Sequence, residues 1–364
     1  MKDEEQRRIG FTTPKRSAAS RSEFDLIRTV RQQAIHHSHA SQSPTHTSLL
    51  QGIGDDGAVI KQQAGRETVI TTDLLVEDVD FRRDSTPPDL LGHKALAVSL
   101  SDLAAMGARP RWSMLALGIP EDLWESEFVD QFYEGFFRLA KRYDVRLIGG
   151  DVSRTSEKVV IDSIALGECS AERSIHRSGA QPGDLIYVTG SLGAAAAGLR
   201  LIERGARIGQ EHAGEPEWKL VQELILRQLC PEPRVGWGLV LGDERLASAL
   251  IDISDGLSSD LHHLCAESKV GALLQANQLP VDEPVADLCG RRALDPLMLA
   301  LHGGEDFELL FTLHPENVSK LPVKVDGVSV TCIGEIKEAS HGVRIAEGSR
   351  VWDLEAQGWQ HFGT

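Results

Sequence analysis

Aspartates set beside glycines recur along this chain, and their spacing suits phosphate and divalent-cation chemistry. Gly52-Ile53-Gly54-Asp55-Asp56-Gly57 satisfies G-x-G-x-x-G letter for letter. A dinucleotide loop, however, opens a helix whose N-terminus receives the pyrophosphate. Here Ala58-Val59-Ile60 follows and reads as a strand, and the paired aspartates would repel a bare pyrophosphate. The pattern makes sense with a cation between carboxylate and phosphate; an Asp-Gly turn between strands is the alternative. Thr71-Thr72-Asp73, late in the next strand, offers hard oxygen ligands suited to Mg²⁺. Ser99-Leu100-Ser101-Asp102 falls inside an apolar helix, where a carboxylate is costly unless paired or on a metal. Lys94, two turns earlier, is a possible partner for Asp102. Gly149-Gly150-Asp151 follows a strand: the glycines let a phosphate approach the backbone and the aspartate can hold its metal. In Ile251-Asp252-Ile253-Ser254-Asp255-Gly256, the strand period puts Asp252 and Ser254 on one face and Asp255 at the turn. His302-Gly303-Gly304-Glu305-Asp306 places paired acids after glycines, as a binding turn or an exposed one.

The elements that must carry these groups are legible in outline. A short helix opens at Glu23-Phe24-Asp25-Leu26-Ile27. Residues 68–76 read as a β-branched strand. Pro87-Pro88 and Gly107 bracket a helix over Leu90 to Met106. Trp124, Phe128, Phe132, Phe136 and Ala140 recur at helical spacing and predict one amphipathic helix. Strands are expected at Arg146 to Ile148 and Lys158 to Leu166. A polar seam at Cys169 to Arg177 follows. Beyond it, strands are expected at Asp184 to Thr189, Ala249 to Ile253, Ala272 to Ala276, Phe307 to Leu313 and Thr331 to Ile333, with helices between most of them. Residues 205–216 read as loop. The alternation predicts an α/β or α+β chain. His36 to Ser48 holds several histidines in polar filler, read as a solvated loop ahead of a zinc tract.

Composition narrows the function. The chain has 364 residues, 41% hydrophobic and 25% charged, so it is a globular protein of two or three domains. Its net charge of −16 argues against nucleic acid and anionic membrane as partners. Five scattered cysteines form no C-x-x-C pair and suit reduced thiols in the cytoplasm. No apolar run reaches the ~18 residues of a membrane helix. The first residues lack the apolar core of a signal peptide and read as a flexible tail. P-loop, protein-kinase and nucleophile-elbow motifs are absent. Carboxylates, glycine turns and a few cations remain: a set suited to multi-metal phosphate chemistry.

In order along the chain, GIGDDGAV, TTDLLVEDVDF, HKALAVSLSDLAAMGARP, LIGGDVSRT, RSGAQPGDLIYVTG, IDISDGLSSDL, GGEDFELLFT and GWQHF resemble the thiamine-monophosphate kinases. These belong to the superfamily of aminoimidazole ribonucleotide synthetase. The resemblance implies an N-terminal α/β domain over 22–168, whose strands form a barrel with those of a second subunit; the tail over 1–21, read as flexible from its residues, is longer than the family needs. The resemblance also implies a C-terminal α/β domain over 169–364 that completes an ATP cleft. It implies ATP-dependent conversion of thiamine monophosphate to thiamine diphosphate with several Mg²⁺ ions, in a homodimer. By position, Asp56, Thr71, Thr72, Asp73, Asp102, Asp151, Asp252 and Asp255 would ligate metal. Gly150, Asp151, Arg177 and Ser254 would meet ATP, and Glu305 and Trp359 would line the thiamine site. Asp80 stands where the family usually has a substrate-touching histidine. The acceptor phosphate is mostly dianionic at pH 7, its second pKa being about 6, so direct transfer without a general base is expected. A cyclo-ligase of the same superfamily and a non-catalytic ATP or thiamine diphosphate sensor are the alternatives.

Overall fold

The computed structural model describes residues 23–38, 48–53, 58–209, 217–292, 295–359 and 361. Asp56, the tail over 1–21 and most of the histidine tract lie outside them.

In the N-terminal half, helix α1 (Glu23–Ser38) precedes a small ribbon of β1 (Leu49–Gln51) and β2 (Val59–Ile60). Strand β3 (Arg66–Val76) alternates between more and less exposed positions, as a half-buried strand should. Pro88 occupies the first turn of α2 (Pro88–Ala105), where its missing N–H costs nothing. There follow β4 (Arg109–Pro120), α3 (Glu121–Trp124), α4 (Phe128–Arg142), β5 (Arg146–Thr155) and β6 (Val160–Ser170). The sheet runs β3-β6-β4-β5, with only the β4–β5 pair parallel. Helix α2 packs on one face of this sheet and against α4. The crossing is close because glycines form it: a Cβ at Gly92 would sit 1.9 Å from the Phe132 carbonyl oxygen, and one at Gly135 1.7 Å from that of Asp89.

Residues 171–184, without helix or strand, lead to the second half. It contains β7 (Leu185–Thr189), α5 (Ala194–Glu203), α6 (Glu217–Leu229), α7 (Val235–Asp243), β8 (Ala247–Asp252), α8 (Leu257–Ser268) and β9 (Gly271–Gln275). These are followed by α9 (Glu283–Arg292), α10 (Pro296–His302), β10 (Leu309–Leu313), β11 (Lys324–Val325), β12 (Val328–Lys337), β13 (Val343–Glu347) and β14 (Arg350–Asp353). The sheet order is β14-β13-β9-β12-β7-β10-β8, with β11 added on β12. β10 is buried throughout, as a continuous apolar run between two neighbours requires. One core joins the halves, since Leu100, Leu103 and Ala104 of α2 cluster with Trp237, Leu241 and Leu250.

Several expectations shift. The single helix through Trp124 is two helices. Ser126 Oγ donates to the Leu123 carbonyl and accepts the Phe128 N–H, ending one helix and starting the next. The strand from Arg146 does not stop at Gly149 but runs on to Thr155, because β4 supplies a parallel partner as far as Pro120. β8 ends at Asp252, so Ser254 lies beyond the strand rather than on its face. β6 runs two residues past the boundary expected after 168. β13 and β14, too short to stand out in sequence, form a hairpin.

Candidate active site

Helix α2 is the hub. It is apolar on most sides and nearly all buried, so its polar groups must find partners inside the protein. Ser99 Oγ donates to Asp73 of β3 at 2.6 Å. Ser101 Oγ donates to Asp252 at the end of β8 at 2.7 Å, linking the two sheets. Asp102 accepts from the Thr71 hydroxyl. Three carboxylates from two sheets and one helix thus converge, each held by a hydroxyl.

Their electrostatics follow from this crowding. Burial, reinforced by Asp102 and Asp162, pushes the Asp73 carboxyl up to about 7. Burial, with Asp102, Asp260 and Asp73 beside it, pushes Asp252 well above the usual carboxylate range. Asp102 is likewise raised by burial, against the pull of Thr71 and Arg177. Asp255, at the turn after β8, is raised by burial, while His263, His361 and Arg177 oppose the shift. Asp260 in the first turn of α8 is pushed up to about 7 by burial and then by Asp255. It accepts the N–H groups of Asp255 and Gly256 at 3.2 and 3.0 Å, fixing the turn that presents Asp255. Arg177, exposed in the connecting segment, bears on Asp102, Asp255 and Asp260 together.

Buried hard oxygens that repel one another are a donor set suited to divalent cations. Among the described residues, no three acidic, histidine or cysteine side chains close around a single point. A Mg²⁺ site does not require such a cluster, since the ion takes one or two carboxylates and completes its shell with water and substrate phosphate.

The sheet splits the expected ligand set. Thr71 and Asp73 face α2, whereas alternation turns Thr72 to the opposite face, where it donates to Asp162 at 2.7 Å. Asp151 pairs with Ala116, which pairs with Asp162, so it shares that opposite face. Gly150 lies against β4, where a Cβ would be 2.1 Å from the Leu115 carbonyl oxygen.

Lys94 does not pair with Asp102. Its ammonium, almost wholly buried, meets Glu305 Oε1 at 2.6 Å, and Gln228 of α6 donates to the other oxygen. Two turns of helix separate Lys94 from Asp102, whereas the 303–306 turn packs directly over it. That turn is held in an unusual conformation: Glu305 and Phe307 have φ of 66° and 49°. The Asp306 carboxylate between them accepts the N–H groups of Gly193 and Ala195 at the start of α5. Burial pushes Asp306 up to about 7. The Glu305 and Phe307 N–H groups donate to the carbonyls of Ser254 and Ile253. Ser254 therefore ties this turn to the one carrying Asp255. Asp80 is local: its carboxylate accepts the Val76 N–H at 2.7 Å. Trp359 is 55% exposed, and its N–H donates to the Asp255 carbonyl at 3.1 Å.

The residues missed from sequence are Asp162, Asp260 and Gln228. A lone acid in the apolar run Val160-Ile161-Asp162 was a usable signal for the first; Gln228 left none.

Comparisons with known proteins bear on this geometry. A family profile described as AIR synthase related protein, N-terminal domain, matches residues 54–169, and its C-terminal counterpart matches 181–347. The thiamine-monophosphate kinase of Buchnera aphidicola (subspecies Acyrthosiphon pisum, strain APS) is 38% identical over 317 residues, 86% of this chain and 93% of the relative. The crystal structure of thiamine-monophosphate kinase from Stenotrophomonas maltophilia K279a superposes with a TM-score of 0.74 at 37% identity, covering 92% of this chain and 98% of that one. A structure described as AaThiL complexed with AMPPCP and TMP gives 0.72 at 33% identity, covering 95% and 100%.

Proposed function

Because this chain belongs to the AIR synthase related family, in its thiamine-monophosphate kinase branch, we propose that it phosphorylates thiamine monophosphate to thiamine diphosphate at the expense of ATP. The observation that carries the reading is the meeting of Asp73, Asp102 and Asp252 on helix α2, with Asp255 and Arg177 alongside. The complex of a relative with AMPPCP and TMP supports the pairing of nucleotide and acceptor.

The obstacle to this reaction is repulsion between two polyanions. Two unit charges 4 Å apart interact by about 4 kcal/mol at an effective dielectric of 20. Arg177 offsets part of this by pairing with a phosphate. Asp73, Asp102, Asp252 and Asp255, with Thr71, would hold Mg²⁺. When bound, the ions supply charge neutralisation on the phosphates and alignment for in-line displacement. The acceptor phosphate needs no general base, and the chain's work is to bind and orient. The 303–306 turn places Glu305, and the C-terminal segment places Trp359, whose ring would stack on the thiamine. Asp80, one oxygen fixed by the Val76 N–H, would face the cationic thiazolium.

A homodimer belongs to this reading. The face of the first sheet away from α2 carries Ile70 and Leu74, 65% and 61% exposed, beside Met114 and Ile164. Thr72, Asp162 and Asp151 share it. The exposed apolar side chains on this mixed face suit a subunit contact. The cysteines of the described residues are all free, consistent with a cytoplasmic setting, and no described helix is long and apolar enough to cross a membrane.

Incubating the protein with ATP, Mg²⁺ and thiamine monophosphate should yield thiamine diphosphate and ADP in equal amounts. Asp255→Asn should lose both. Inorganic phosphate without thiamine diphosphate would instead indicate a cyclo-ligase type of reaction, and nucleotide binding without turnover a sensor.

A further inference from the structure

The last described stretch of chain has a feature the reaction does not explain. Leu354 is buried in the C-terminal core, and its N–H donates to the Val343 carbonyl. From there the chain leaves the sheet and returns to the start of α8. Gln357 N–H approaches Ser258 Oγ at 3.4 Å, Gly358 N–H donates to Ser259 Oγ at 2.9 Å, and Trp359 N–H donates to the Asp255 carbonyl at 3.1 Å. Three consecutive N–H groups thus grip one turn. Both receiving serines are buried, and Ser258 Oγ is itself held 2.8 Å from His302 Nδ1. The strap consequently contacts the Asp255 turn and, through Ser258 and His302, the helix that leads into the Glu305 turn.

Gly358 is what permits the approach. A Cβ there would lie 2.3 Å from the Asp255 carbonyl oxygen and 2.5 Å from Ser259 Oγ. The Asp255 carbonyl is backbone and cannot rotate out of the way, so the strap would have to lift. The Trp359 ring packs edge-on to His361, whose charge bears on Asp255. Lifting the strap would carry both rings from the acid.

We propose that Gly358 is a positioning residue for Trp359, seating the strap on the Asp255 turn so that the aromatic wall and the phosphate-handling acid hold a fixed separation. This rests on the reading of Trp359 as a wall of the thiamine site. The pairing gives a physical basis for selecting an acceptor with a cationic or aromatic ring at a set distance from its phosphate.

The test compares Gly358→Ala, Ser259→Ala and Trp359→Ala in the full-length protein. Trp359→Ala and Gly358→Ala should each raise KM for thiamine monophosphate between about tenfold and a hundredfold, the scale expected of a misplaced binding group. KM for ATP should stay within about twofold, since uniform damage would move both. Ser259→Ala should shift the acceptor KM in the same direction by less. The emission difference between wild type and Trp359→Phe isolates one ring among six tryptophans. In the Gly358→Ala background that difference should move toward the spectrum of a solvated indole. If Trp359→Ala leaves the acceptor KM unchanged, the thiamine-wall reading fails and the inference with it. If Trp359→Ala raises it while Gly358→Ala and Ser259→Ala do not, and the emission is unmoved, the wall stands and the positioning role is overturned.

Discussion

At the residue scale the protein is organised around carboxylates that the fold itself destabilises in their charged form. Asp73 and Asp260 ionise near pH ~3.9 in an unfolded chain but retain their protons up to about 7 in the folded one. Unfolding therefore releases protons between those values. Their contribution to stability is full below about pH 4 and is lost as pH rises through about 7. A cation that binds the charged carboxylates reverses the penalty. Two outcomes follow for the metal-free protein. Asp73→Asn should raise the melting temperature at pH 8 and do so much less at pH 4.5, and Mg²⁺ should stabilise the wild type more at pH 8 than at pH 5. Scanning calorimetry with and without chelator reads both, and a pH-independent effect of Asp73→Asn would contradict the burial argument.

At the scale of elements, α2 acts as a carrier whose placement decides the site. It brings Lys94, Ser99, Ser101 and Asp102 to partners on β3, β8 and the 303–306 turn. Its own placement depends on the glycine crossing with α4 and on α7, where a Cβ at Gly238 would be 2.2 Å from the Ala104 carbonyl oxygen. Backbone this close cannot yield as a side chain would. Gly135→Ala should cost about 3 kcal/mol or more, at the upper end of overpacking changes. Chemical denaturation would measure it, and a loss under 1 kcal/mol, a mild overpacking cost, would show that the helices can separate freely.

At the scale of the whole molecule, the two halves are joined at the proposed site. The Ser101–Asp252 hydrogen bond and the Lys94–Glu305 ion pair both cross between them, inside a shared core. Neither half holds the acid set alone, so a truncated half would lack the site. The proposed dimer would extend the same logic to a second copy through the outward sheet face. Ile70→Glu, placing a charge in the proposed contact, should convert a dimer to a monomer in sedimentation equilibrium. A wild-type chain that sediments as a monomer would remove that contact from the reading.

Sequence alone determined the acidic and glycine-rich motifs, the α/β alternation and the family resemblance, because these are properties of neighbouring residues. Pro88, the β-branched strand at 68–76 and the glycines near 150 and 304 declare themselves through local backbone preference. The opposite facing of Thr71 and Thr72 was also there to read in the strand period, although their shared chemistry groups them. Tertiary structure alone decided that Lys94 answers Glu305 rather than Asp102, that Asp260 supports the Asp255 turn, and that Gly358 admits the strap. It also decided which aspartates resist ionisation. A side chain's partner and its dielectric surroundings are set by residues far away in the chain, and only the packed fold brings those within a few ångströms.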